Sequence, residues 1–470
     1  MEKNNYIIAI DFGSSKVTVA AASKDPDGRL NIIDLINKPM EGMERGEITN
    51  IEQVTLAARD ALGQLEENLG IQIKEAYAGI SGENIRCGNS TYYVFINGQD
   101  GEIGDEDVEK LHESMNSLPV PDGYVILDRI PQKYVIDTRE ETMKPVGRFG
   151  HRLESTFNFI LGNKNSVDRL TKAMNRLQIS TCRIFANAQA SAAATLTDDE
   201  KELGAAVIDI GAGCTDICSW HNNIMRYAGV LPIGSNAINE DIRTQAIRDK
   251  VIEKLKVQHG YATVDAISQE QASLNIELPG GARRDNKKIS YMALTQIIEA
   301  RLLDIVDHIM GEIKEAGFAD KLGSGLVLTG GGSKMAGIDI LFREKTKYDV
   351  RIAGADPLLV NDASADIAAD IANTSAIGLL LLGAEDGHLT PTASPLRKRG
   401  DEGNNQRREH PSGPRVVMEE DDTHEKPVTT PAKLAREDEG KDSGSRRGGW
   451  FGSLLRREPK EAQDKAKQDK

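Results

Sequence analysis

Tyr6-Ile7-Ile8-Ala9-Ile10-Asp11-Phe12-Gly13-Ser14-Ser15-Lys16 is an apolar run that ends in an aspartate and a glycine-bearing turn. Its length and β-branched content predict a buried strand. Val17-Thr18-Val19-Ala20 then resumes as a second strand, so the turn joins two strands rather than a strand and a helix. The same arrangement recurs at Ala205-Ala206-Val207-Ile208-Asp209-Ile210, followed by Gly211-Ala212-Gly213-Cys214-Thr215-Asp216. A third apolar run, Leu326-Val327-Leu328-Thr329, leads into Gly330-Gly331-Gly332-Ser333.

Turns of this kind have a chemical use. Without a Cβ in the way, backbone N–H groups can approach a phosphate closely. Ser14, Ser15 and Thr215 add hydroxyl donors, and Lys16 offers a point charge to a phosphate oxygen. The strand-end carboxylates Asp11 and Asp209 can hold a hydrated Mg²⁺, a cation that keeps several of its waters. The third turn, Gly330, Gly331, Gly332 and Ser333, leaves room for a flat base or a ribose against backbone. One such turn says little, but three in this order, two of them paired with Asp, point to a nucleotide.

Outward from these turns, Val54–Leu69 has helical spacing and stops at Gly70, and 295–316 reads as a long amphipathic helix. Between about 80 and 162 the α/β rhythm is interrupted. The strand-like runs Thr91–Ile96, Tyr124–Leu127 and Lys133–Asp137, separated by polar breaks, predict an inserted subdomain. At 470 residues the chain is too long for one core, and two to four domains are expected. Four cysteines suit a reducing cytosol rather than a disulfide scaffold. Cys214 and Cys218 lie on a predicted strand with no completing ligands, and Cys87 and Cys182 are isolated, so all four read as thiols and not as a zinc set. No apolar run reaches the ~18 residues that a membrane-spanning helix needs. Nor does the start resemble a secretory signal.

Composition changes at the end of residues 1–384. From 385 to 449 there is no Phe, Trp or Tyr, prolines recur, and a disordered linker is expected over 385–445. Residues 385–440 carry −4 and residues 441–470 carry +4, so the whole net charge of −15 belongs to 1–384. That acidic core argues against nucleic acid as a partner. At the tip, Trp450, Phe451, Leu454 and Leu455 share one helical face, flanked by Arg446, Arg447, Arg456 and Arg457. Such a helix over 446–458 suits an anionic bilayer surface, with a protein groove or packing against the core as the other readings, and a polar tail follows at 459–470.

Taken together, these motifs resemble the actin-like ATPases, and within them the FtsA family of bacterial division proteins. Asp11–Lys16 and Asp209–Asp216 match the two phosphate motifs, and Leu326–Ile338 matches the adenosine motif. Ala190–Ala194 and Asn373–Leu382 match the two connecting helices. Gly79-Ile80-Ser81-Gly82, Pro131–Asp137, Pro145–Gly147 and Gly150–Glu154 match stretches specific to the family. The resemblance implies an α/β, actin-like two-domain ATPase fold, made of duplicated ribonuclease-H-like cores with an inserted α+β subdomain. In its terms 1–79 and 163–195 form subdomain 1A, and 80–162 is the insert, 1C. Subdomain 2A is 196–233 and 311–384, the last part returning to 1A, while 2B is 234–310.

For cofactors the resemblance implies ATP and Mg²⁺. Asp11, Gly13, Ser14, Ser15, Lys16, Asp209, Gly211, Gly213, Thr215, Asp216 and the third turn would hold them. Glu253 and Lys256 resemble the family's ribose and base contacts, a solvated helical charge pair being the other reading. Where relatives often carry a water-orienting Glu, this chain has Asn187-Ala188-Gln189. Either Asn187 or Gln189 can hold a water but accepts its proton poorly, so hydrolysis is expected to be slow and the chain is not read as an enzyme. The implied partners are the FtsZ C-terminal tail, further copies in a filament, later division membrane proteins and the anionic bilayer. The implied place is the cytoplasmic face of the inner membrane at the division site. A small-molecule kinase or a pilus-assembly adaptor on the same core is the alternative.

Overall fold

A computed structural model describes residues 6–96, 100–116, 120–278 and 287–387. The tip at 446–458, the tail at 459–470 and the linker beyond 387 lie outside the described residues.

β1 (Ile7–Phe12) and β2 (Lys16–Lys24) form the expected hairpin, with Asp11 opposite Thr18. Next come β3 (Leu30–Pro39) and a small hairpin of β4 (Met43–Glu44) and β5 (Glu47–Ile48). Helix α1 (Ile51–Leu69) starts where the Asn50 side chain accepts the N–H groups of Glu52 and Gln53. It stops at Gly70, whose φ of 68° is the left-handed cap that glycine takes without strain. β6 (Glu75–Ile80) then pairs parallel to β1.

The insert follows: β7 (Arg86–Phe95), α2 (Asp105–Asn116), β8 (Tyr124–Ile136), β9 (Glu140–Thr142) and β10 (Arg152–Asn163). Its sheet runs β7-β10-β8-β9, over a core that includes Leu111, Met115, Leu153 and Phe157. One expectation needs correction here, and one element was not expected from the sequence. The runs 124–127 and 133–137 are one strand, whose polar middle is accommodated by register shifts against β10 at Thr156/Phe157 and Ile160/Leu161. The helix at 105–116, too short and acidic to stand out, packs on this sheet.

α3 (Lys164–Arg176), β11 (Ser180–Ala186) and α4 (Asn187–Thr195) complete the first lobe, whose sheet order is β11-β6-β1-β2-β3. The second lobe opens with α5 (Asp198–Leu203), β12 (Ala205–Ile210), β13 (Thr215–His221) and β14 (Ile224–Leu231). Outside its sheet lie α6 (Asn236–Arg243), α7 (Asp249–His259), α8 (Gln269–Ala272), β15 (Asn275–Leu278) and β16 (Lys287–Ser290). α9 (Tyr291–Glu315), β17 (Leu326–Thr329), α10 (Ile338–Thr346), β18 (Val350–Ile352), α11 (Ala365–Ala369) and α12 (Thr374–Asp386) end the described chain.

The second sheet, β14-β13-β12-β17-β18, repeats the first strand for strand. In each, three antiparallel strands are extended by two parallel ones, so Asp11 and Asp209 occupy equivalent strand ends. The expected boundary at 310 falls inside α9, which buries Ile298, Leu302, Ile305, Ile309 and Ile313 in one core with Ile208 and Ile210. α4 and α12 cross backbone to backbone: a Cβ on Gly378 would lie 1.8 Å from the Ala190 carbonyl oxygen. No described helix is by itself long and apolar enough to cross a membrane.

Candidate functional site

The two hairpin turns meet. A Cβ on Gly213 would lie 2.4 Å from Ser14 Oγ, so the backbone of the second turn packs directly against the Ser14 side chain of the first. Each turn is closed by its own ladder bond, from Gly13 N–H to the Lys16 carbonyl (3.0 Å) and from Gly211 N–H to the Cys214 carbonyl (2.9 Å). Gly330, at φ 84°, brings the third turn against the second strand, where a Cβ would sit 2.1 Å from Asp209 Oδ1. Most of the motifs separated in sequence therefore converge on one cleft between the lobes.

The floor of the cleft is a group of buried carboxylates. Asp11 accepts bonds from Asn187 Nδ2 and Ser375 Oγ, each at 3.0 Å, and Asp209 accepts one from Ser191 Oγ at 2.5 Å. Burial raises both above the ordinary carboxylate range, and Asp209, further raised by the charge of Asp11, is pushed up to about 6. Asp216, opposite Asp209 in the ladder, is buried and bonded by Ser81 Oγ at 2.8 Å. Burial, with the charge of Asp209, raises it well above its usual value.

Lys16 reaches Asn373 Oδ1 at 2.7 Å and Asn37 Oδ1 at 3.0 Å. Burial lowers its pKa, with the charge of Asp11 acting against that. The site thus holds more buried carboxyl groups than Lys16 can keep ionised, and a divalent cation bound there would favour their charged forms. Among the described residues no group of three or more acidic, Cys or His ligands converges, so the cation would be held through water by Asp11 and Asp209. The half-buried glycine backbone of the two turns and the unpartnered buried Oδ1 of Asn187 fit a hydrated metal–phosphate group.

Other expected residues are placed differently. Gln189 turns away from the cleft and donates from Nε2 to Asp128 Oδ2 of the insert at 2.6 Å, so it does not join Asn187 at a water. The Thr215 hydroxyl is spent on the Ile233 carbonyl (2.8 Å) and the Ser333 hydroxyl on the Thr329 carbonyl (2.6 Å), so both brace turns rather than face a ligand. Ser15 is exposed at the turn, and Gly331 and Gly332 carry the third turn onward.

Lys256 is buried, pairs with the exposed Glu253 at 2.9 Å and donates to the Ser235 carbonyl at 3.2 Å. Ser235 in turn donates its N–H to the Gly211 carbonyl, which ties α7 to the second turn. The Glu253–Lys256 pair is thus a helical ion pair with one half in the protein interior. Ser191, Ser375, Asn373, Asn37 and Ser81 are not among the site residues expected from the sequence, although Ser81 lies in the family-specific stretch Gly79-Ile80-Ser81-Gly82. Three of them, Ser191, Ser375 and Asn373, lie within or beside the small-residue runs already marked as connecting helices.

A family model described as Cell division protein FtsA matches residues 206–378, and one described as SHS2 domain inserted in FTSA matches residues 82–161. The cell division protein FtsA of Neisseria meningitidis serogroup B is 34% identical over 382 residues, 81% of this chain and 90% of its own. That of Pseudomonas aeruginosa is 29% identical over 387 residues, 82% of this chain and 91% of its own. Among solved structures, a PilM-PilN type IV pilus biogenesis complex shares the fold with a TM-score of 0.54 at 14% identity, over 80% of this chain and 98% of that one.

Proposed function

The chain belongs to the FtsA family of cell division proteins and has an actin-like fold; from that premise we propose that it binds Mg-ATP and assembles on the cytoplasmic face of the inner membrane at the division site. There it tethers FtsZ and recruits later division proteins. The observation that carries the nucleotide part is the meeting of Gly213 with Ser14 above the Asp11–Asp209 pair. Backbone N–H groups of both turns and Lys16 would hold the phosphates, and Asp11 and Asp209 would hold Mg²⁺ through its waters. The chemistry supplied by Mg²⁺ when bound is neutralisation of charge at the phosphate oxygens. Asn187 orients a water from its unpartnered Oδ1 but accepts a proton poorly, so ATP acts chiefly by holding the lobes together and favouring assembly.

The tether reading rests on composition and on the family. The lobe 234–310 offers exposed basic and apolar positions, among them Lys250, Lys254 and Val257 of α7, to a tail that combines acidic and apolar residues. The insert faces filament neighbours and later division proteins. The arginine-flanked apolar face of Trp450, Phe451, Leu454 and Leu455 meets anionic lipid. One short helix binds weakly, and many copies along a filament bind strongly, so assembly and attachment are coupled. Calorimetric titration of the full chain with Mg-ATP tests the nucleotide part. Asp209→Ala should weaken binding by about tenfold or more, equivalent to 1.4 kcal/mol, and unchanged binding would overturn the site.

A further inference from the structure

The small hairpin of β4 and β5 has no place in the site as described so far, yet its tip touches both phosphate turns. Glu44 pairs with Glu47, leaving Arg45 and Gly46 as a two-residue loop, and both have positive φ, 49° and 79°. That is a type I′ turn, in which the first position favours Asn, Asp or Gly. An arginine there holds a left-handed conformation that side chains of its kind rarely adopt.

The tip is firmly placed. Gly46 N–H donates to Ser14 Oγ at 3.1 Å, and Arg45 N lies 3.0 Å from where a Cβ on Gly213 would stand. Met43 and Ile48 are buried beneath it, and Ser166 Oγ donates to Glu47 Oε2 at 2.6 Å. Gly46 itself has no room for a side chain, since a Cβ would meet Gly82 N at 2.7 Å. Arg45 is therefore the only loop residue able to carry a functional group, and its side chain is exposed. Two other cations near the turns are engaged, Lys16 by two asparagines and Lys334 by Asp370 at 2.6 Å.

We propose that Arg45 is a specificity residue of the nucleotide site, its guanidinium covering the terminal phosphate where the two turns meet and so favouring a nucleoside triphosphate over a diphosphate. This rests on the nucleotide reading above. A guanidinium binds a phosphate through paired, charge-assisted hydrogen bonds, and an exposed one on a fixed backbone gains most from the phosphate that projects furthest. A turn-disfavoured arginine at this position is what such a role requires.

The test uses Arg45→Asn in the full chain, because Asn followed by Gly is a preferred type I′ pair and the variant should fold at least as stably. Mg-ATP and Mg-ADP affinities are measured by calorimetry for both proteins, with Arg45→Lys as a third. The expected result is a loss of about tenfold for Mg-ATP, little change for Mg-ADP, and partial retention by the lysine variant, which keeps the charge without the paired donors. An unchanged ATP-to-ADP affinity ratio in Arg45→Asn, whether both affinities hold or both fall, overturns the proposal. If the unaltered chain binds neither nucleotide, the nucleotide reading falls and this one with it.

Discussion

Asn187 donates its Nδ2 to Asp11 Oδ1 at 3.0 Å, while its own Oδ1 is buried and has no hydrogen-bond partner among the described residues. A buried carbonyl oxygen left unpaired costs free energy, and a water held at that point would satisfy it. If the chain turns over ATP as proposed, Asn187→Ala should lower that turnover at least tenfold, and the unaltered rate should itself lie below the ~10 s⁻¹ of a median enzyme. Gln189→Ala should leave turnover unchanged, because Gln189 lies about 200° around α4 from Asn187 and bonds Asp128 of the insert instead of Asp11. Steady-state phosphate release checks both.

Gly213→Ala places a methyl group 2.4 Å from Ser14 Oγ and 3.0 Å from Arg45 N. The clash lies where the two lobes meet and not in either core. It should therefore weaken Mg-ATP binding by about tenfold or more while the melting temperature of the nucleotide-free chain falls only slightly. Calorimetry and a thermal melt on the same preparation separate the two effects.

The carboxyl of Asp209 is pushed from an ordinary 3.8 up to about 6 by burial and by Asp11. Folding thus favours its protonated form. The corresponding stability is fully present below pH 4 and is lost as pH rises through 6, a swing of roughly 3 kcal/mol at 1.36 kcal/mol per pKa unit. In metal-free buffer, the difference in unfolding free energy between the native chain and Asp209→Asn should change in that direction between pH 4 and 7. Denaturant melts at a series of pH values measure it, and Mg-ATP should suppress the change by holding the carboxylate ionised.

How much of this was legible in the sequence follows from the range of each interaction. The strands ending in Asp11, Asp209 and Thr329 were readable because an apolar run and a glycine turn are local features. Ser191 and Ser375 were not, because their partners Asp209 and Asp11 lie 18 and 364 residues away. Asn187 and Gln189 are a case the sequence could have decided. Two residues apart on a helix they point about 200° away from each other, so one water cannot be shared. In β8, the polar residues Asp128, Arg129 and Gln132 read as a break, although Gln132 is buried and donates to the Met225 carbonyl of the second lobe at 3.0 Å.

Arg183 joins three parts of the chain, donating to Asp128 of the insert at 2.8 Å and to Asp386 at the end of α12 at 2.9 Å. Arg183→Leu leaves both carboxylates without their cation and should destabilise the chain by about 1–2 kcal/mol, the pair being partly solvated. Hydrogen exchange should quicken in β8 and in the last turns of α12 while β12 and β17 stay protected. Uniform exchange across the chain would contradict the idea that this arginine fastens the insert locally.

Attachment of FtsZ to membrane is the claim that most of the account serves, and flotation measures it directly. Vesicles with anionic lipid are mixed with Mg-ATP, a labelled FtsZ tail peptide, and either the full chain or one ending at Gly449. The peptide is expected to float with the full chain and to remain at the bottom with the truncated one. Equal flotation by the two, or none by either, would contradict it.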